Sequence, residues 1–223
     1  MYSTHSSQYD KAIKEIVIDH CKLGVATQNS SVLINANNSH TKPNGFESFS
    51  FTNNILYDVN GDNDTNGVCI FSYNSDAQAQ TLVSWPMIVT MENNIFYNVS
   101  ASGGNFKQYR IASATIRNNV LATSIWKSST LPVNNMKLFN QIYTKDSILA
   151  DGELSMTVGH NLGFGKLGVN NAGKQCEWVV ANNAFVKNLE KMVTATESPF
   201  ETADSQTGTF VLKSGYSSYG PQL

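Results

Sequence analysis

The stretch Asp58-Val59-Asn60-Gly61-Asp62-Asn63-Asp64 sets Asp58, Asn60 and Asp62 at alternate positions. That spacing matches the first, third and fifth ligand positions of an EF-hand-like loop, which turn oxygens toward a Ca²⁺ ion. The match is half complete. The sixth position is Asn63 rather than Gly, and the twelfth is Cys69 rather than a bidentate Glu. The leading expectation is a solvated turn and no cofactor, with Ca²⁺ as the alternative.

Other residues could contact a sugar. Lys107 and Arg110, with Tyr109 between them, could meet an acidic group. Tyr57 and Tyr97 fall at equivalent places in two nearly identical segments, and Trp85 and Trp126 lie near loops. An exposed ring offers a flat face to sugar C–H groups, whereas a buried one belongs to the core. Trp178 falls at an inward strand position and reads as core. His20 and His160 each open a repeated turn and read as structural. No His-x-x-x-His, Gly-rich phosphate loop or Gly-x-Ser-x-Gly motif occurs.

The elements that would position these residues repeat. Phe51-Thr52-Asn53-Asn54-Ile55-Leu56-Tyr57-Asp58-Val59 returns as Met91-Glu92-Asn93-Asn94-Ile95-Phe96-Tyr97-Asn98-Val99. Weaker copies centre on His20-Cys21, Asn118-Asn119, His160-Asn161 and Asn182-Asn183. Apolar residues fall two and four positions before each pair: Ile16 and Ile18, Phe49 and Phe51, Val89 and Met91, Ala114 and Ile116, Met156 and Val158, Trp178 and Val180. Period two means a strand with one buried face. Asn then turns the chain, because it tolerates left-handed backbone.

The second members of the pairs stand at 21, 54, 94, 119, 161 and 183, so the shortest intervals are 25 and 22 residues. These suit one coil of a solenoid. Longer intervals contain Val32-Leu33-Ile34, Val68-Cys69-Ile70-Phe71 and Met136-Lys137-Leu138-Phe139-Asn140-Gln141, readable as extra coils or as further strands of long coils. The reading is a single all-β domain over residues 1–223, a right-handed single-stranded parallel β-helix of roughly six to nine coils. Identical Asn side chains stacked at one bend would form a ladder, each satisfying buried polar groups of the next. A short helix is predicted over Asn188 to Thr196.

Composition agrees. Charged residues are 14% of the chain, against roughly 25% in typical soluble domains, and Asn, Ser, Thr and Gly take their place. With net charge -2 and only two arginines, Arg110 and Arg117, no basic face for nucleic acid can be assembled. Cys21, Cys69 and Cys176 are too widely spaced for a disulfide framework or zinc motif and read as buried thiols. No run reaches the ~18 apolar residues of a membrane span. The polar start, followed closely by strand pattern, leads us to expect a C-terminal portion of a longer protein.

The coil phrase Asn93-Asn94-Ile95-Phe96-Tyr97-Asn98 resembles the repeated unit of the pectate-lyase-like right-handed β-helix proteins, especially secreted and surface types from gut Bacteroides. The ending is similar too: Ser198-Pro199-Phe200, Asp204, Gly208-Thr209-Phe210-Val211-Leu212 and Ser214-Gly215. The resemblance implies a location outside the cytoplasm, beside other domains of a polysaccharide-handling protein. Residues 197–223 would then be a C-terminal cap.

The alternation also predicts what faces outward. One column should hold Asp19, Thr52, Glu92, Arg117, Gly159 and Ala181, the other Val17, Ser50, Thr90, Thr115, Thr157 and Val179. Neither clusters the carboxylates that a Ca²⁺-dependent lyase needs. Glu92 beside Arg117 reads as a surface ion pair. The expectation is a non-catalytic, extracellular or cell-surface module that binds polysaccharide or oligosaccharide. The alternatives are a lyase or hydrolase fragment whose active site needs missing coils, and a structural spacer or adhesin stalk.

Overall fold

The computed structural model of the chain describes residues 2–4, 12–26, 34–37, 45–59, 71–74, 87–99, 106–107, 111–123, 136–141, 155–181 and 192–222. These residues form three parallel sheets. Sheet I contains β2 (Ala12–Asp19), β5 (Gly45–Thr52), β8 (Met87–Glu92), β11 (Ile111–Arg117) and β14 (Ser155–Gly159). Sheet II contains β3 (Lys22–Ala26), β6 (Ile55–Val59), β9 (Ile95–Tyr97), β12 (Val120–Ala122), β15 (Leu162–Phe164) and β17 (Val193–Thr194). Sheet III contains β1 (Tyr2–Thr4), β4 (Ile34–Asn37), β7 (Phe71–Asn74), β10 (Phe106–Lys107), β13 (Met136–Gln141) and β16 (Trp178–Ala181).

Up to β16, neighbours within a sheet are three strands apart in sequence. The chain therefore visits sheets I, II and III in rotation and stacks each round on the last. This is an all-β arrangement of parallel sheets, consistent with a parallel solenoid. Five full rounds, β2–β4 to β14–β16, are described, with β1 before them and β17 after. The ambiguous stretches are third strands of long rounds: Ile34 opens β4, Phe71 opens β7, and Met136–Gln141 is β13.

Two expectations change. The sixth copy does not continue sheet I. β16 pairs with β13 in sheet III, with Trp178 beside Met136 and Ala181 beside Phe139. Val179 and Ala181 thus leave the predicted outward columns. The helix predicted over Asn188 to Thr196 is also replaced where the chain is described, because Val193–Thr194 pairs with β15 as a strand. Asn182, Asn183 and Asn188 lie outside the described residues.

The turn between sheets I and II follows from its residue types. His20, Asn53, Asn93, Asn118 and His160 all take left-handed backbone, with φ from 51° to 58°. The next residue points inward. Asn54, Asn94, Asn119 and Asn161 are buried and joined through the stack. The Oδ1 of Asn54 accepts from the Cys21 amide at 2.9 Å, and that of Asn94 from the Asn54 amide at 2.9 Å. The Oδ1 of Asn119 and of Asn161 accept from the Asn94 and Asn119 amides, each at 3.2 Å. Each Nδ2 donates back to a carbonyl of the previous round: Ile18, Phe51, Met91 and Ile116, in turn.

Apolar stacking fills the space between the sheets. Phe51, Phe96, Leu121, Ile116 and Met91 are fully buried, and the Phe51 and Phe96 rings stack at 6.0 Å. Trp178 is 3% exposed, as expected for core. It occupies the volume over Gly163, where a Cβ would fall 2.3 Å from its Cγ. Glycine thus stands in a column whose other members include Leu56, Phe96 and Leu121. In the first full round Ile16, Ile18 and Leu23 are only half-buried, unlike Phe49, Phe51 and Leu56 above them.

Residues 197–222, from the segment expected to cap the C-terminal end, are described. They form an antiparallel hairpin, β18 (Phe200–Asp204) and β19 (Thr209–Leu212), and a 3₁₀ turn at Ser214–Tyr216. This segment covers the outer face of sheet II. Phe200 and Phe210 pack with Ile55, Ile95, Tyr97, Val120, Ala122 and Leu162. It then runs back along the stack, where the Gly220 amide reaches the Asn118 carbonyl at 2.8 Å and the Gln222 amide reaches Asn53 Oδ1 at 3.3 Å.

Candidate functional site: the outer face of sheet I

Sheet I keeps one face toward the core and one outward, and strand register fixes what the outward face presents. Val17, Ser50, Thr90, Thr115 and Thr157 pair across five strands. So do Asp19, Thr52, Glu92, Arg117 and Gly159. Both columns match the alternation in the sequence, apart from the two residues that belong to sheet III. Successive members stand about 4.8 Å apart, the spacing of paired strands. The result is a regular surface rich in Ser and Thr hydroxyls.

The charged groups of this face are held by neighbours. Arg117 Nε donates to Glu92 Oε1, forming the expected ion pair, with the Arg117 side chain 52% exposed. In that setting it is worth about 0–1 kcal/mol. Asp19 is anchored at the end of its column: Oδ1 accepts from Thr52 Oγ1 at 2.5 Å and from Asn53 Nδ2 at 3.1 Å, and Oδ2 lies 2.6 Å from His20 Nδ1. The hydrogen bond from Thr52, then those from Asn53 and His20, lower its pKa from 3.8 to about 2. A carboxylate that acidic is a poor general base near neutral pH.

The shift has a measurable consequence. The folded pKa lies below the unfolded one, so the Asp19 contribution is present above about pH 4 and is lost as pH falls toward 2. Solvent screening keeps it small, because the side chain is 40% exposed. The Asp19 carboxyl ¹³C resonance is expected to titrate with a midpoint of about 2. The Asp19→Asn variant should lose less stability than wild type between pH 4 and pH 2. A midpoint near 3.8 would show that the three hydrogen bonds do not persist in solution.

The other sequence candidates are not gathered here. Tyr97 is buried, its ring 4.9 Å from Phe210 and 5.6 Å from Phe200. Tyr57 is half-buried with its ring 5.3 Å from Phe210. Of the two readings of this pair, the packed one describes both rings, which lie beneath the hairpin and not on an open platform. Asp58 has left-handed backbone, and its Oδ1 accepts from Asn98 Nδ2 at 3.0 Å. Asn60, Asp62, Trp85, Trp126, Tyr109 and Arg110 lie outside the described residues, and only the backbone of Lys107, in β10, lies within them. Among the described residues, no three His, Cys, Asp or Glu converge to hold a metal ion. Among them, too, no helix is long and apolar enough to cross a membrane. Cys21 and Cys176 are free thiols, and burial pushes the Cys176 thiol up.

The sequence pattern did not reveal that the hairpin creates a second concave surface, at the end of sheet II. That surface depends on contacts between residues about 100 positions apart, such as Tyr97 with Phe200, which no local periodicity encodes. No protein-family model matches the chain, and neither does any curated protein or solved structure.

Proposed function

We propose that the chain is a right-handed parallel β-helix of the pectate-lyase-like kind, with an asparagine ladder at its bend. In this reading it works outside the cytoplasm or on the cell surface, as part of a longer protein, and binds polysaccharide without transforming it. The carrying observation is the unbroken register of Ser50, Thr90, Thr115 and Thr157 on the outer face of sheet I. Hydroxyls can both donate and accept, so repeated rows of them suit a repeating polyhydroxylated chain better than a charged one. The neighbouring carboxylates favour binding over catalysis: Asp19 is held by three hydrogen bonds that make it a poor general base near neutral pH, and Glu92 is paired.

The test is affinity electrophoresis in gels cast with soluble neutral or acidic polysaccharides. Wild type should be retarded by at least one. The triple variant Thr90→Val, Thr115→Val, Thr157→Val should run freely, because Val keeps the shape and strand preference of Thr but removes its hydroxyl. Undiminished retardation of that variant would overturn the reading. So would release of unsaturated uronate products, absorbing in the ultraviolet and lost in Arg117→Ala, which would establish a lyase instead.

A further inference from the structure

The end of sheet II and the C-terminal hairpin enclose a cleft of about 670 Å³. Sites for small ligands span about 300–1,000 Å³. Tyr97, Phe164 and Phe200 line its apolar side, with Tyr97 and Phe200 buried and Phe164 half-buried. Lys166, Thr196 and Glu197 line the rest and are exposed. The wall is set by backbone: Gly165 has φ of 127°, and a Cβ there would lie 2.5 Å from the Thr123 carbonyl oxygen. A wall fixed by close backbone approach is formed before any ligand arrives.

Aromatic carbon lies on one side, and donors and acceptors on the other. Lys166 offers N–H donors, Glu197 accepts, and Thr196 does both. Neither charged group forms an ion pair among the described residues, and their formal charges cancel across one cleft. An anionic ligand would gain at Lys166 and lose at Glu197. A neutral ligand with hydroxyls around an apolar ring face can use both groups together with the half-buried Phe164 ring. We infer that this cleft is a binding site for a neutral pyranose, a terminal or branch sugar, distinct from the hydroxyl rows of sheet I. The inference rests on the glycan-binding reading but places the ligand on a different surface.

Amide chemical shifts of the full chain, titrated with methyl glycosides of neutral hexoses and with the matching uronic acids, test it. A neutral glycoside should shift the Lys166 and Glu197 amides with a dissociation constant on the order of 1 mM. Glu197→Ala, and Ala203→Trp at the exposed edge of the cleft, should each weaken binding about tenfold or more. The triple Thr→Val variant of sheet I should bind the glycoside as wild type does. If no neutral glycoside moves the cleft amides while polysaccharide still retards the chain, the inference fails and the function reading stands. If the glycoside binds in the cleft and no polysaccharide retards the chain, the cleft stands and the sheet I reading fails. Tighter binding of the uronic acids, or loss of glycoside binding in the Thr→Val variant, would overturn the inference.

Discussion

Asn119→Ala is expected to lower stability by about 2–6 kcal/mol, because it strands two buried partners at roughly 1–3 kcal/mol each. Asn119 is fully buried. Its Oδ1 accepts from the Asn94 amide at 3.2 Å, and its Nδ2 donates to the Met91 carbonyl at 2.9 Å. Alanine removes both groups. Asn94 Nδ2, the Arg117 carbonyl and Asn161 Oδ1 also lose bonds to the Asn119 side chain, but each keeps another: to the Phe51 carbonyl, from the Asn93 amide and from the Asn119 amide, in turn. For a chain of this length the fall in Tm should be on the order of 10 °C. Asn118→Gly is the matched control. Asn118 has φ of 58°, which glycine adopts freely, and it loses only the half-buried bond to Asn93 Oδ1 at 3.0 Å. Thermal unfolding followed by circular dichroism should place Asn118→Gly close to wild type and Asn119→Ala far below it. Equal Tm values for the two variants would show that the inner column carries no special share of stability.

That contrast between neighbouring asparagines was readable in the sequence, because turn chemistry and inward period coincide there. The left-handed residue must be Asn or another tolerant type, and the residue after it points toward the same interior as Phe51 or Met91. Each round repeats both constraints, so the register of sheet I followed from aligning the pairs: Asp19, Thr52, Glu92, Arg117 and Gly159 do stand in one row. The sixth copy misled for a physical reason. Alternation in Trp178–Ala181 says that a strand has one buried face, not which sheet it joins. Its partner, β13, is the third strand of the preceding round, so the position of β16 within its own round decides the sheet. Tyr57 and Tyr97 were ambiguous for a related reason. Sheet II is buried on both faces where the hairpin covers it, so β9 and β12 have no exposed residue and their polar–apolar alternation disappears. The cover comes from residues about 100 positions away, beyond the reach of periodicity.

Phe210→Ala should release that cover while leaving the stack folded. Phe210 is 8% exposed and lies between two layers, its ring 4.9 Å from Tyr97, 5.3 Å from Tyr57 and 6.1 Å from Phe200. Truncating a buried phenylalanine costs about 3–5 kcal/mol. A two-stranded hairpin is marginal on its own in water, so β18 and β19 depend on these ring contacts to stay docked. The asparagine column and the Phe51–Phe96 stack lie on the other side of sheet II and do not touch Phe210. Local detachment is therefore less costly than global unfolding. The expected signs are faster amide exchange and new protease cuts within Phe200–Leu212. Dye should bind to the uncovered surface of Ile55, Ile95, Val120 and Leu162, while the amides of Asn94 and Asn119 keep wild-type protection. Glycoside binding in the cleft should vanish at the same time, because Phe200 forms one of its walls. Unchanged exchange in the hairpin would show that its docking does not depend on Phe210. Simultaneous loss of protection in the hairpin and the asparagine column would show one cooperative unit, in which the segment covering sheet II is as essential to the fold as the stack beneath it.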